Sequence, residues 1–275
     1  MSDERTGIIG EICDFGDNSI YVASMKGVIL SIDPKITIVD ISNEVRKFDI
    51  AHGSFILKNV VKYFPDNTVF LCVVDPGVGS KRKRIVIKTK RSYFVGPDNG
   101  LMIYAAEQEG IEEIREITNP KCILENASTT FDGRDVFAPT AALLASGKIK
   151  FEEIGPIVQD YVKSKCFEAE ILENTIRGRV IDIDGFGNII TNIKSTDIKK
   201  IGINVDDLIE ISFKGKKHIL HLRKTYSDEP PGQPLVLIGS SGLLEVSVNQ
   251  SHANILFNCN VGDHIEIKLY KKCKN

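Results

Sequence analysis

The chain has 275 residues, of which 42% are hydrophobic and 26% charged, a balance typical of a globular protein with a sizeable core. Its 35 Lys and Arg residues against 37 Asp and Glu residues give a formal net charge of −2, which excludes a global field that attracts nucleic acid or anionic membranes. The longest apolar runs, 68–74 and 234–239, are far shorter than the roughly 20 residues of a membrane helix, and the charged start "MSDERTG" lacks the apolar core of a secretory signal. We therefore expect a cytoplasmic protein without a membrane partner.

Up to about residue 160, short β-branched runs alternate with segments of helical period. The predicted order is strand 8–13, helix 19–32, strand 35–41, helix 51–63, strand 68–74, strand 84–89, helix 99–109 and helix 135–147, the last ended by Gly147. Such alternation predicts an amino-terminal α/β domain, residues 1–165, whose sheet is mainly parallel and covered by helices.

The pattern changes after about residue 165, where short alternating strands are separated by turn clusters. The predicted strands are 177–183, 207–213, 217–222 and 263–270, and the Pro-rich segment 226–234 is a predicted loop. A second, all-β domain is expected over residues 166–275, as a small barrel or a sandwich.

Two aspartates follow predicted strands of the first domain. Asp14 closes the strand 8–13 and Asp75 closes the strand 68–74. Ligands of open α/β sheets bind beyond the carboxyl ends of the strands, so both carboxylates are candidates for a site there. Each aspartate taken alone also fits the role of a turn or cap residue.

The segment "VVDPGVGSKRKR", residues 73–84, combines glycines with four basic residues. Its spacing matches neither a phosphate loop nor a dinucleotide fingerprint. Side chains alternate along a strand, so at most two of the residues 81–84 face one site, and the interleaved aromatics of a nucleic-acid patch are missing. We expect no nucleic-acid partner.

Neither a metal site nor a serine nucleophile is indicated. The five histidines offer no convincing ligand pair, because His218 and His221 lie three apart in a predicted strand and so face opposite ways. The six cysteines form no C-x-x-C, and no G-x-S-x-G occurs. We expect no metal and no disulfide.

Several segments together resemble the S-adenosylmethionine hydroxide adenosyltransferase family, whose members form adenosine by hydrolysis and are related to fluorinases and chlorinases. The resemblance covers nearly the whole chain, in a specific order and spacing. The matching stretches include "DFG" (14–16), "YVASMKGVI" (21–29), "VVDPGVGSKR" (73–82), "GPDNGL" (96–101), "TFDGRDVFAP" (130–139), "DGFGNIITNI" (184–193) and "SSGLLEVSVN" (240–249).

The resemblance implies an α/β domain followed by a β-barrel domain. It also implies a homotrimer, in which each active site lies between the first domain of one chain and the second domain of its neighbour. The implied reaction is attack of water or hydroxide on the ribose 5′ carbon of S-adenosylmethionine, giving adenosine and methionine without a cofactor.

The family's catalytic Asp and Arg correspond to Asp75 and Arg82, and Asp132 stands where hydrolase members usually have His. Asp14 resembles the residue that holds the ribose hydroxyls, and Phe48 stands where the family has an aromatic or apolar wall. The adenine and methionine contacts correspond to Asp184, Asn188, Ser240, Glu245 and Val248.

Other departures concern substrate binding and the nature of the nucleophile. Ser19 replaces an Asp that holds the methionine amino group, with Asp17 as a possible substitute, and Asn43 replaces a common His. A halogenase is disfavoured because Gly133 offers no hydroxyl to a halide. A binding protein for adenosine or S-adenosylmethionine that lacks catalysis is the alternative to a hydrolase.

Overall fold

The computed structural model describes residues 6–270, and the chain divides between Ser164 and Lys165 into two compact units. In the described part of the first unit, six strands form one sheet in the order β2-β1-β3-β5-β4-β6. Their bounds are β1 Ile8–Cys13, β2 Thr37–Ser42, β3 Val69–Val73, β4 Arg84–Thr89, β5 Tyr93–Pro97 and β6 Ile111–Glu116. The strands β2, β1, β3 and β5 pair in parallel, whereas β4 is antiparallel to both β5 and β6. The predicted mainly parallel sheet is therefore confirmed.

Helices cover both faces of this sheet. They are α1 Ile20–Ile32, α2 Ile50–Val60, α3 Ile103–Glu109 and α4 Ala138–Ala145, the last preceded by a π-helical turn, Gly133–Phe137. Short 3₁₀ turns occupy Val61–Tyr63, Pro120–Cys122 and Phe151–Glu153. Side chains of β3 alternate between two cores: Leu71 and Val73 pack with α1 and α4 residues, while Phe70 and Cys72 face a second cluster. Because both faces are covered, every residue of β3 is buried.

The described part of the second unit is a β-barrel. Its strands are β7 Glu170–Leu172, β8 Thr175–Ile183, β9 Ile189–Lys194, β10 Leu208–Phe213, β11 Lys216–Arg223, β12 Pro234–Ile238, β13 Leu243–Val248 and β14 His264–Leu269. Seven of them close a ring in the order β14-β10-β11-β12-β13-β9-β8, with β8 paired back to β14. The short strand β7 pairs with β8 in antiparallel orientation. Short helices α5, Ser195–Lys200, and α6, Ala253–Leu256, and a 3₁₀ turn, Tyr226–Asp228, lie between strands. The predicted carboxy-terminal barrel is confirmed.

Alternation explains which side of each barrel strand is buried. In β10, Ile209, Ile211 and Phe213 are buried, and the residues between them are partly exposed. The buried side chains join one apolar cluster with those of the neighbouring strands.

The predicted elements differ from the structure mainly at their ends. The predicted helix 51–63 ends as an α-helix at Val60 and continues as a 3₁₀ turn, and the predicted helix 99–109 begins only at Ile103. The predicted helix 135–147 starts as a π-helical turn and stops at Ala145, before Gly147 at φ 59°. Cys273 lies outside the described residues, and Cys13, Cys72, Cys122 and Cys259 are buried free thiols. Within residues 6–270 no helix combines the length and apolarity needed to cross a membrane.

Candidate active site

The site of the first unit lies at the edge of the sheet where the parallel strands end. Asp14 directly follows β1, and Asp75 lies two residues after β3. Because β4 runs the opposite way, its first residue, Arg84, pairs with Pro97 at the end of β5. Arg82 lies just before β4, so one reversed strand delivers two cations to the edge that receives the carboxylates.

Asp75, Arg82, Asp132 and Arg84 form a continuous chain of ion pairs. Arg82 donates from Nε to Asp75 Oδ1 at 2.8 Å and from Nη2 to Asp75 Oδ2, and the same Nη2 donates to Asp132 Oδ2 at 2.5 Å. Arg84 contacts the other side of Asp132, with Nε 3.0 Å from Oδ2 and Nη2 2.8 Å from Oδ1. Two carboxylates thus alternate with two guanidinium groups, and their formal charges cancel.

Within this series of ion pairs, three side chains are almost fully buried. Asp132 is 2% exposed, Asp75 7% and Arg82 10%. Burial alone would lower the pKa of Arg82, but its hydrogen bonds and ion pairs to Asp75 and Asp132 outweigh burial and raise the pKa above its ordinary value. Arg82 is therefore a fixed positive charge and cannot exchange protons with a substrate.

A cavity of about 500 Å³ opens beside these ion pairs. Its lining combines carboxylates with aromatic and small side chains: Asp14, Phe15, Tyr21, Lys47, Phe48, Val73, Asp75, Val78, Thr130, Phe131, Asp132 and Gly133. The structure therefore brings together four residues predicted from the sequence, Asp14, Phe48, Asp75 and Asp132. Arg82 is not among the lining residues and lies behind the two carboxylates that it binds.

Three aromatic rings form one wall of the cavity. Phe15, Tyr21 and Phe131 pack with ring centroids 5.1 to 5.6 Å apart. Gly133 follows Asp132 at a close contact, because a Cβ there would lie 3.0 Å from both Met25 Sδ and Phe131 Cε2. A larger side chain at this position would displace the aromatic wall or the turn that carries Asp132.

Asp14 is held by the segment that carries Phe48. Its Oδ2 accepts the Phe48 N–H at 2.8 Å, and its carbonyl accepts a hydrogen bond from Lys47 Nζ. Phe48 has φ 65° and is 72% exposed, an unfavourable backbone conformation and an unfavourable exposure for a bulky aromatic residue. Such a combination beside a cavity is typical of a ligand contact.

Two departures noted in the sequence, Ser19 and Asn43, have structural roles. Ser19 caps α1 by accepting the Tyr21 N–H at 3.1 Å. Asp17 is exposed, with its N–H donated to Glu44 Oε1 at 2.9 Å, and neither Asp17 nor Ser19 lines the cavity. Asn43 is buried and accepts a hydrogen bond from Cys13 Sγ at 3.3 Å.

The second unit has its own cavity, of about 610 Å³. Its lining residues are Asp184, Gly185, Phe186, Asn188, Tyr226, Val248, Asn249, Gln250, Ser251 and His252. Three residues predicted from the sequence, Asp184, Asn188 and Val248, therefore share this cavity. Asp184 organises its turn, because Oδ1 accepts the N–H groups of Phe186 and Asn188 and Oδ2 accepts Asn188 Nδ2, all at 2.9 Å.

Glu245 and Ser240 are arranged differently from those three. Glu245 is buried, and its Oε1 accepts hydrogen bonds from Tyr226 Oη at 2.5 Å and from Ser247 Oγ at 3.0 Å. Burial together with this carboxylate raises the pKa of Tyr226 above its ordinary value, so its hydroxyl stays protonated. Ser240 lies in the exposed turn between β12 and β13, outside the cavity lining. Its proposed role stays a prediction.

Tyr21, Lys47, Arg84 and Tyr226 are among the residues beside these sites that were not singled out from the sequence. The sequence could have pointed to Arg84, because it lies two residues after Arg82 and side chains two apart in an extended segment share a face. Tyr226 falls in a segment read as a loop, where no periodicity indicates which side chains point inward.

Within residues 6–270, no group of three or more His, Cys, Asp or Glu side chains is arranged to hold a metal ion. His218 packs edge-on against Phe257, with ring centroids 4.8 Å apart, whereas His221 Nδ1 lies 3.4 Å from the Asp206 carbonyl oxygen.

Comparison with known proteins identifies the family. Residues 11–155 match the family model described as the SAM hydroxide adenosyltransferase N-terminal domain, and residues 178–266 match the model of its C-terminal domain. The chain belongs to the SAM hydroxide adenosyltransferase family. The resemblance found in the sequence motifs is thus confirmed.

Relatives of this family member match it over nearly their whole length. The (R)-S-adenosyl-L-methionine hydrolase of Methanocaldococcus jannaschii is 39% identical, over 97% of this chain and 98% of that protein. A fluorinase of an Actinoplanes species is 28% identical, over 93% of this chain and 95% of that protein. Among solved structures, an uncharacterized conserved protein from Thermotoga maritima is 39% identical, with a TM-score of 0.88 over 94% of this chain and 99% of that one.

Proposed function

We propose that this protein hydrolyses S-adenosyl-L-methionine to adenosine and L-methionine, by attack of water or hydroxide on the ribose 5′ carbon. Family membership and full-length relatives named as (R)-S-adenosyl-L-methionine hydrolases support the reaction. The observation that carries the proposal is the buried set of ion pairs that joins Asp75, Arg82 and Asp132 beside a cavity with an aromatic wall.

The chemistry makes few demands on the protein. The leaving group is a neutral thioether, so no general acid is needed, and the difficulty lies with the nucleophile. Asp75 and Asp132 line the cavity and present oxygens that orient a water and accept its proton. Arg82 holds both carboxylates and adds a fixed positive charge near the hydroxide that develops.

The cavity residues divide the substrate between them. Only Oδ2 of Asp14 is hydrogen-bonded within the described residues, so we assign Oδ1 to the ribose diol and Phe48 to the wall beside it. Asp184, Asn188, Ser240, Glu245 and Val248 of the barrel are proposed to contact adenine and methionine. The Asn188 amide donates to Asp184, which leaves its carbonyl oxygen to accept from an adenine amino group.

We propose a homotrimer, in which the first unit of one chain and the second unit of its neighbour complete each site. Exposed apolar side chains beside both cavities support such an interface. Tyr21 is 48% exposed and Phe48 72% beside the first cavity, and Phe186 is 78% exposed beside the second.

Halide capture is disfavoured by charge as well as by Gly133. The guanidinium groups of Arg82 and Arg84 are each matched by a carboxylate, so neither of these two cations is left unbalanced to attract a halide. The alternative of a binding protein without catalysis rests on one observation, which is that every oxygen of Asp75 and Asp132 already contacts a guanidinium group.

The purified protein, incubated with each sulfonium epimer of S-adenosylmethionine, separates these functions. Chromatography is expected to show adenosine and methionine forming in equal amounts, with the same rate after treatment with a chelator and no dependence on chloride. Ligand-induced thermal stabilisation without adenosine would support the binding protein, and a chloride-dependent halogenated nucleoside would support the halogenase. We also propose a cytoplasmic location, which the buried free thiols of Cys13, Cys72, Cys122 and Cys259 support and cell fractionation tests.

A further inference from the structure

Arg84 contacts Asp132 on the side that Arg82 leaves open. Arg82 reaches only Oδ2 of Asp132, whereas Arg84 spans both oxygens, with Nε 3.0 Å from Oδ2 and Nη2 2.8 Å from Oδ1. The Nε contact is a hydrogen bond, whereas the Nη2 contact with Oδ1 is an ion pair without hydrogen-bond geometry. A guanidinium group that contacts both oxygens of a carboxylate restricts its plane as well as its position. Arg84 therefore contributes to the orientation of Asp132 together with Arg82.

The backbones of the two arginines are held to different degrees. Arg84 is part of the sheet: it pairs with Pro97, and its carbonyl accepts the Ile117 N–H at 2.8 Å. Arg82 belongs to the loop before β4, where its N–H donates to Ser80 Oγ at 3.2 Å. A side chain on a strand is placed more precisely than one on a loop. Of the two arginines, Arg84 therefore has the more firmly fixed position.

Removing Arg84 would leave two buried carboxylates sharing one guanidinium group. Asp132 is 2% exposed, and a buried charge that loses a partner either moves toward solvent or draws water in. Either change shifts Arg82, because its Nη2 binds both Asp132 and Asp75.

We infer that Arg84 is a positioning residue, which acts through Asp132 to hold Arg82 and Asp75 in the geometry that activates water. The inference rests on the proposed hydrolase function for its effect on turnover, but not for its effect on Arg82. Arg84 does not line the cavity and is not expected to touch the substrate.

The first test is kinetic. Arg84→Met is expected to lower kcat by about 10- to 100-fold, because a small misplacement of catalytic groups is costly, while KM stays within about twofold. Arg84→Lys restores the charge but not the two-point contact, so it recovers only part of the rate. The control is Lys81→Met, which removes an exposed cation three residues away and leaves both constants unchanged.

A double-mutant comparison tests whether Arg84 acts through Asp132. Adding Arg84→Met to Asp132→Asn is expected to cause no further loss of kcat, because the carboxylate through which Arg84 acts is already absent. A full additional loss, or a rise in KM equal to the fall in kcat/KM, would overturn the inference.

The second test needs no substrate. Hydrogen exchange at Arg82 Nε, followed by NMR in folded protein, is expected to accelerate at least about tenfold in Arg84→Met and to stay unchanged in Lys81→Met. If Arg84→Met does not fold, Arg84→Gln takes its place. Unchanged exchange would overturn the inference whatever the activity, whereas a wild-type protein that forms no adenosine but shows the acceleration would overturn only the proposed hydrolase.

Discussion

At the scale of single residues, the proposed chemistry depends on the alternation of two carboxylates with two guanidinium groups. The motif containing Asp75 and Arg82 is visible in the sequence, and the structure joins the two side chains by hydrogen bonds. The engagement of Asp132 by Arg84 was not predicted, because the two residues are 48 positions apart and only the fold brings them together.

Asp75→Asn tests the role of the first carboxylate. The amide keeps the size of the side chain but cannot accept a proton, so kcat is expected to fall at least about 100-fold, with a small change in KM. Steady-state adenosine formation measures both constants, and Asp66→Asn, at a site 68% exposed, is the matched control. Turnover of Asp75→Asn at the control's rate would remove Asp75 from the mechanism.

Glu11 gives a prediction for stability against pH. It lies within β1, fully buried, and neither carboxylate oxygen has a hydrogen-bond partner among the described residues. Burial raises its pKa from 4.5 to about 7, with smaller opposing effects of Lys26 and Asp40. The folded chain therefore binds this proton more tightly than the unfolded chain, and the associated stability, present below pH 4.5, is lost as pH rises to about 7.

Glu11→Gln mimics the protonated side chain and removes this dependence. Above pH 7 the free energy of unfolding of the variant is expected to exceed that of the wild type by up to about 3 kcal/mol. At pH 4 the two proteins are expected to have nearly equal free energies of unfolding. Urea unfolding at pH 4 and pH 8 measures both differences. An equal gain at the two pH values would show that ionisation of Glu11 is not the cause.

At the scale of elements, the decisive feature is the reversed strand β4, Arg84–Thr89. Its apolar alternation predicted the strand with correct bounds, but not its direction, because direction depends on pairing with β5. The strands β5 and β6 were not predicted. β5 contains Gly and Pro, which weaken a strand pattern, and β6, with the sequence "IEEIRE", is rich in charge at the edge of the sheet.

Gly96 tests the packing of β5 against β3. A Cβ at Gly96 would lie 2.4 Å from the Cys72 carbonyl oxygen, a backbone atom that cannot move aside, so Gly96→Ala is expected to lower the free energy of unfolding by about 1–3 kcal/mol. Gly27→Ala is the control, since its Cβ would meet nothing within 4 Å and alanine favours the helix α1, with a gain of up to about 1 kcal/mol. Chemical denaturation compares the two, and equal effects of the same sign would contradict the packing argument.

At the scale of the whole molecule, the family resemblance predicted an α/β domain and a barrel correctly. Sequence periodicity alone left barrel and sandwich open, because closure depends on one long-range pairing, that of β8 with β14. The two cavities described above hold Asp14 and Phe48 in the first unit and Asp184, Asn188 and Val248 in the second, whereas Ser240 and Glu245 line neither cavity.

The trimer proposal predicts the mass in solution. Sedimentation equilibrium is expected to give a particle of three 30.5 kDa chains. Phe48→Asp and Phe186→Asp each place a charge among exposed apolar side chains and are expected to weaken assembly. A wild-type monomer that is fully active would contradict the shared site.

The origin of the oxygen in the product tests the central claim most directly. In water enriched in ¹⁸O, the hydrolase mechanism predicts that adenosine carries one ¹⁸O at its 5′ position and that methionine carries none, because the bond that breaks joins sulfur to the 5′ carbon. Mass spectrometry of a single turnover reads both products. Adenosine without the label, or no adenosine at all, would contradict the account.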